Sequence, residues 1–196
     1  MSAESATVVL WVVWYVSWIM AAAWQDRTKV RMVTDMAGIH RALFSVGLVL
    51  LLFVPTGSAF SLPRWGSLTQ RLWAEPGWLQ WSLFALVVAS FAFCWWARLH
   101  LGRLWSGFVT LKEGHRIVDT GPYGLVRHPI YSGIMMAALA TAALKATPVA
   151  VAGFAFTILG LSMTARIEEK FLRAQLGADA YDDYRRRVGM LVPRLP

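Results

Sequence analysis

Residues 131–165 read YSGIMMAALATAALKATPVAVAGFAFTILGLSMTA, and their reading decides the architecture. Only Lys145 carries a charge in this stretch. It breaks at Lys145-Ala146-Thr147-Pro148, where a proline close to a basic residue reads as a tight turn, because proline has no N–H with which to continue a helix. Segments 131–144 and 149–165 are therefore expected to form an antiparallel helical hairpin. Outward from it, the apolar runs 7–24, 42–60 and 77–97 each approach the roughly 20 residues that a bilayer-spanning helix needs at about 1.5 Å per residue.

Composition agrees with that reading. The 196 residues are 57% hydrophobic and 15% charged, with a mean hydropathy of +0.50. A water-soluble domain has about 25% charged residues, and a disordered chain has far less apolar surface, so both classes are excluded. Eleven Trp suit a headgroup interface, where indole rings settle. The expected fold is an all-α integral membrane protein with about five transmembrane helices, the last two forming the hairpin. Residues 1–97 hold three N-terminal spans and their connections, and residues 98–196 hold a polar loop, the hairpin and a helical tail. The first six residues carry Glu4 and no Lys or Arg, the reverse of a cleavable signal peptide.

Charge placement predicts orientation. Arg27, Lys29, Arg31 and Arg41 follow the first span, and Arg98, Arg103, Lys112, Arg116 and Arg127 follow the third. Arg166, Lys170, Arg173, Arg185, Arg186, Arg187 and Arg194 follow the fifth, whereas the opposite side has only Arg64, Arg71 and Lys145. The positive-inside tendency puts the basic side in the cytoplasm and the N-terminus outside. Basic residues flanking spans also attract anionic lipid, so the net charge of +8 calls for no nucleic-acid partner. Cys94 stands alone, which excludes an internal disulfide, and the four His have no zinc-site spacing, so no metal is expected. His40 and His100 read as interfacial residues.

Two polar stretches, both on the predicted cytoplasmic side, carry the dense patterning. Residues 112–133 read KEGHRIVDTGPYGLVRHPIYSG, with three glycines and two prolines across 114–129 that deny a continuous helix. This is expected to be a structured loop whose backbone N–H and C=O groups are available to a ligand. The second stretch opens at Thr164-Ala165-Arg166-Ile167-Glu168-Glu169-Lys170-Phe171-Leu172-Arg173, where Ile167, Phe171, Leu172 and Leu176 recur at helical spacing before a stop at Gly177. Glu168 borders that apolar stripe and Glu169 points further round; in isolation both read as acids of an emerging helix paired with Arg166, Lys170 and Arg173. Asp179, Tyr181, Asp182, Asp183 and Tyr184, followed by Arg185–Arg187, read as a solvated or headgroup-facing surface.

Taken together, Gly121-Pro122-Tyr123, Arg127-His128-Pro129, Tyr131 and Gly133 resemble the signature of the isoprenylcysteine carboxyl methyltransferase family. Glu168-Glu169 with Leu172, Gly177, Tyr181, Tyr184 and Val188 is similar to that family's C-terminal half-signature. The resemblance covers roughly residues 101–193, with the two halves at opposite ends of the hairpin, and phospholipid N-methyltransferases share the same plan.

The resemblance implies a membrane methyltransferase that uses S-adenosylmethionine without a Rossmann domain. Carried over by position, the cofactor contacts are His115, Arg116, Ile117, Val118, Gly121, Tyr123, His128, Pro129, Ile130, Tyr131 and Glu168. Glu168, Glu169 and Arg127 are the implied catalytic residues, and the acceptor is lipophilic or small and amphipathic. A carboxylate such as Glu168 complements the donor's sulfonium and ammonium, and Tyr123 and Tyr131 offer ring faces to the sulfonium. Membrane sterol reductases share a similar Arg-His-Pro-Tyr pattern and use NADPH, but the adjacent Glu168-Glu169 pair and the short chain favour methyl transfer; a non-catalytic membrane subunit is the third reading.

One position departs from the family. Eukaryotic carboxyl methyltransferases place an arginine four residues before the first glutamate, and here that residue is Thr164. Arg166 does not share its helix face. This points away from a prenylcysteine carboxylate and leaves the acceptor open. A carboxylate acceptor needs no general base, whereas a thiol or amine must lose a proton, for which Glu169 or a histidine is a candidate.

Overall fold

The computed structural model describes residues 1–24, 27–31, 37–54, 56, 66–107, 110–112 and 116–194. Residues 55 and 57–60 of the second apolar run, Arg64 and the predicted ligand His115 lie outside the described residues.

Five apolar helices form the body: α1 (Ala3–Ala22), α2 (Ala37–Phe53), α4 (Gly77–Leu101), α6 (Pro129–Lys145) and α7 (Pro148–Leu176). Short helices α3 (Gly66–Thr69) and α5 (Pro122–Leu125) interrupt the connections, and α8 (Ala178–Arg187) follows α7. Strands β1 (Thr28–Arg31) and β2 (Thr110–Lys112) pair antiparallel, tying the segment after α1 to the segment after α4. This small ladder is an addition to the all-helical expectation. Helices α1, α4 and α7 are long and apolar enough to cross a membrane, while α2 and α6 are shorter. The outward faces of α1 and α4 expose Val9, Val13, Ile19, Val88 and Leu99, a surface suited to lipid rather than water. Exposed Trp73, Trp78 and Trp81 gather at one end, and Trp24 and Trp96 at the other, as in aromatic belts. The chain is an integral membrane protein.

The hairpin forms where the sequence places it. Ala146 ends α6 in the left-handed conformation, Thr147 caps α7 by accepting from the Ala150 N–H at 3.2 Å, and Pro148 begins it. Lys145 is not a solvated turn residue. It is buried, and its ammonium donates to the carbonyls of Leu51 at 2.9 Å and Val54 at 2.8 Å, satisfying the C-terminal end of α2. At the opposite end fully buried Arg98 does the same for α1, donating to Ala21 O at 2.9 Å and Trp24 O at 2.7 Å.

Helix α2 lies along α7 and α4 along α6, both through glycine contacts. A Cβ on Gly160 would sit 2.7 Å from Phe44 N, and one on Gly133 would sit 2.5 Å from Cys94 Sγ. Small residues at these crossings let backbones meet where lipid offers no hydrophobic drive to push helices together. Trp11, Trp14 and Phe91 fill the α1–α4 interface with edge and stacked rings.

Candidate active site

At the end of the bundle that holds Arg98, the loop before α6, the end of α7 and α8 close around a cavity of about 300 Å³. The loop is positioned by Gly121, whose φ of +56° suits glycine and whose missing Cβ leaves room for the His100 ring. His100 in turn meets Thr120 Oγ1 at 2.9 Å and stacks beside Tyr123. Pro122 starts α5, and Pro129 starts α6, so the intervening residues turn rather than extend the helix.

The tail clamps this loop through its backbone. Arg127 N–H donates to Gly189 O at 2.8 Å, His128 N–H to Met190 O at 3.1 Å, and Ser132 Oγ to Leu191 O at 2.7 Å. The Tyr184 hydroxyl donates to Tyr123 O at 2.7 Å. Residues 126–132 and 184–191 thus form one unit although more than fifty positions separate them.

Two adjacent glutamates take different roles in the geometry. Glu169 is buried and receives Arg127 Nε at 2.6 Å, with His128 Nε2 at 3.3 Å. Arg127 also donates to Arg185 O at 3.2 Å and to Val188 O, so its guanidinium ties α7 to the tail. As acids of an emerging helix both glutamates would pair with Arg166, Lys170 and Arg173; Glu169 instead meets Arg127 of the loop and, at 3.5 Å, Arg185 of α8. Glu168 is half-buried, faces the cavity, and accepts the Tyr131 hydroxyl at 2.9 Å. The His128 ring Nδ1 lies 3.7 Å away, and no Arg or Lys among the described residues pairs with it. The His128 and Tyr131 rings stack in parallel at 5.3 Å beside it.

Arg116, Ile117, Val118, Tyr123, Arg127, His128, Pro129, Ile130, Tyr131 and Glu168 all line the cavity. Gly121 stands against His100 instead, and Glu169 sits behind the wall as a brace. Burial pushes the Tyr123 phenol well above its ordinary value, with the Glu168 charge adding to the effect. Burial does the same to Tyr181 and Tyr184. These two were expected on a solvated surface; α8 instead turns them inward against the cavity, while Asp182 and Asp183 face out and pair with Arg173 and Arg187.

Sequence reasoning missed His40, Thr164, Trp105 and Phe44, which also line the cavity. His40 is buried and its Nδ1 lies 2.9 Å from Thr164 Oγ1. No spacing rule links positions 40 and 164; the one hint was a histidine at the edge of an apolar run.

Such an arrangement defines a membrane-embedded helical bundle with a partly open cavity at one end, walled by a loop, a helix end and a tail. Residues 83–174 carry the pattern of the isoprenylcysteine carboxyl methyltransferase (ICMT) family. Over 75 residues the chain is 45% identical to methanethiol S-methyltransferase 2 of Bradyrhizobium diazoefficiens, covering 37% of this chain and 27% of that protein. It is 28% identical over 172 residues to the cobalt-zinc-cadmium resistance protein CzcN of Cupriavidus metallidurans, covering 81% and 71%. It is 36% identical over 86 residues to the protein-S-isoprenylcysteine O-methyltransferase of Saccharomyces cerevisiae, covering 43% and 36%. A solved structure of the eukaryotic intramembrane Ras methyltransferase ICMT shares the fold, with a TM-score of 0.55 and 19% identity over 82% of this chain and 54% of that one. The chain therefore spans well under half the length of two of these curated relatives.

Proposed function

We propose that this chain is an S-adenosylmethionine-dependent membrane methyltransferase acting on a lipophilic or small amphipathic acceptor. Residues 98–196 supply most of its catalytic region, with the N-terminus outside and the site on the cytoplasmic side. The observation that carries this reading is Glu168: a cavity-facing carboxylate, oriented by Tyr131 and matched by no Arg or Lys among the described residues. A carboxylate left without a cation in a largely apolar cavity calls for a cationic ligand.

The donor set fits S-adenosylmethionine. Glu168 would answer its positive charges, the Tyr131 and His128 rings would lie beside the sulfonium, and the backbone of 116–118 with Tyr123 would take its polar groups. When bound, that donor supplies an electrophilic methyl group. The protein's own part is positioning and exclusion of water. Trp105, Ile130 and Ile134 close the cavity with apolar surface, and the Arg127–Glu169 pair holds the loop to the tail. Support comes also from the relatives, two of which are named as methyltransferases acting on methanethiol and on isoprenylcysteine.

The test is a calorimetric titration of the detergent-solubilised protein with S-adenosylmethionine and, separately, with NADPH. Binding of the first without the second is expected. Binding of NADPH alone overturns the reading.

A further inference from the structure

One wall of the cavity is built by the crossing of α2 and α7, through His40, Phe44, Leu161 and Thr164. Gly160 makes the crossing possible, since a Cβ there would lie 2.8 Å from His40 O and 2.7 Å from Phe44 N. One turn further along α7, Thr164 meets the His40 ring, and one turn beyond that, Glu168 faces the same cavity. Residues four apart share a helix face, so Thr164 and Glu168 line one wall about 6 Å apart.

The hydrogen bonds fix the state of His40. Thr164 Oγ1 donates its only proton to Gly160 O at 2.8 Å, so toward His40 Nδ1 at 2.9 Å it can only accept. Nδ1 must therefore carry the ring proton, which leaves Nε2 as the unprotonated nitrogen of a neutral imidazole. His40 lines the cavity, and with Nδ1 turned to Thr164 its basic nitrogen is Nε2.

We propose, building on the methyltransferase reading above, that His40 Nε2 is the general base for the methyl acceptor, that Thr164 is the residue that positions it, and that the acceptor is a thiol. The step is a proton transfer. The S–H bond breaks, its electron pair stays on sulfur as the thiolate nucleophile, and the proton forms Nε2–H on an imidazolium that later releases it to water. At neutral pH an alkanethiol arrives uncharged, whereas an alkylamine arrives as an ammonium, and with Glu168 committed to the donor no second carboxylate among the described residues lines the cavity to receive it. The charged or titratable groups sharing the cavity with His40 are Arg41, Arg116, Arg127, His128, Glu168, Tyr123, Tyr131, Tyr181 and Tyr184. A carboxylate arrives ionised and has no use for a base at this position. Phe44, Leu161 and Ile134 complete an apolar surround suited to a small uncharged thiol.

The full-length protein in detergent is tested with butanethiol, butylamine and butyrate as acceptors, alongside His40→Asn, Thr164→Val and Thr164→Ser. Methylation of butanethiol in preference to the other two is expected. His40→Asn should lower its kcat/KM on the order of 100-fold, in the range of lost general bases, and flatten the acid limb of the pH profile. Calorimetric S-adenosylmethionine affinity should stay at the wild-type level. In ¹⁵N-histidine spectra of the wild-type protein, His40, assigned by its disappearance in His40→Asn, should be the Nδ1-protonated tautomer. Thr164→Val should erode that preference and Thr164→Ser should keep it. Faster turnover of butyrate than of butanethiol, wild-type thiol turnover in His40→Asn, or an Nε2-protonated His40 overturns the proposal. Failure of the wild-type protein to bind S-adenosylmethionine instead overturns the methyltransferase reading beneath it.

Discussion

Arg127 and Glu169 meet at 2.6 Å between the loop before α6 and the end of α7, both side chains buried. The same guanidinium reaches the carbonyls of Arg185 and Val188. One arginine therefore joins the loop to α7 and to α8 with its following residue, all more than forty positions away, and the cavity wall depends on that junction.

Removing Glu169 leaves buried Arg127 with backbone carbonyls alone, and removing Arg127 leaves buried Glu169 to His128 and the more distant Arg185; breaking a buried pair in this way costs about 3–5 kcal/mol. Glu169→Ala and Arg127→Ala should each lower Tm on the order of 10 °C for a chain of this size. The double variant should lose less than the sum of the singles, because the second removal relieves the charge stranded by the first. Thermal-shift measurements in detergent check this, and additive losses would show that the two side chains do not form one unit.

Glu168 stands apart from that brace. Glu168→Gln and Tyr131→Phe should leave Tm nearly unchanged while weakening S-adenosylmethionine binding. For Glu168→Gln the loss should be roughly 10- to 100-fold, the size of a charge-assisted contact of about 1.5–3 kcal/mol. Arg186→Ala, at an exposed pair with Asp183, is the control and should bind as the wild type does. Equal losses at positions 168 and 186 would remove Glu168 from the binding site.

Gly160→Ala adds a methyl group where neighbouring backbone atoms lie 2.7 and 2.8 Å away. Overpacking of this kind costs about 1–3 kcal/mol, and it should part His40 from Thr164. Gly77→Ala, with nothing within 4 Å, should be neutral or stabilising. The comparison is again thermal; an innocuous Gly160→Ala would contradict the close α2–α7 crossing.

Alkaline pH should loosen the tail. Burial raises the folded-state pKa of Tyr181 and Tyr184 above their ordinary value near 10. The unfolded chain then loses these protons first. Their stabilisation is complete below about pH 10 and falls as pH rises above it. The wild-type Tm should drop more steeply between about pH 10 and 12 than that of the Tyr181→Phe/Tyr184→Phe variant. Parallel curves would mean that these phenols are solvated.

Much of the site was readable in the chain because its two halves are local. Gly121-Pro122-Tyr123 and Arg127-His128-Pro129 are turn and helix-start chemistry, and nearly all the cavity residues expected from them line it. His40 was not readable, because its place depends on how closely two helices cross. Tyr181 and Tyr184 misled for a related reason: amid Asp and Arg they look solvated, and only the docking of α8 buries them.

By itself the sequence determined that the chain is a bundle of membrane helices, since apolar runs of this length have no other stable solvent, and that its polar chemistry sits at one end. It also determined the hairpin, through Pro148 beside Lys145; the left-handed Ala146 that closes the turn came from the structure. Tertiary structure decided which of two neighbouring glutamates faces the cavity. Adjacent residues on a helix point about 100° apart, and the rotation of α7 is set by its glycine contacts with α2 and by the reach of Arg127 from the loop. Those forces act between segments distant in the chain, so no local pattern contains them.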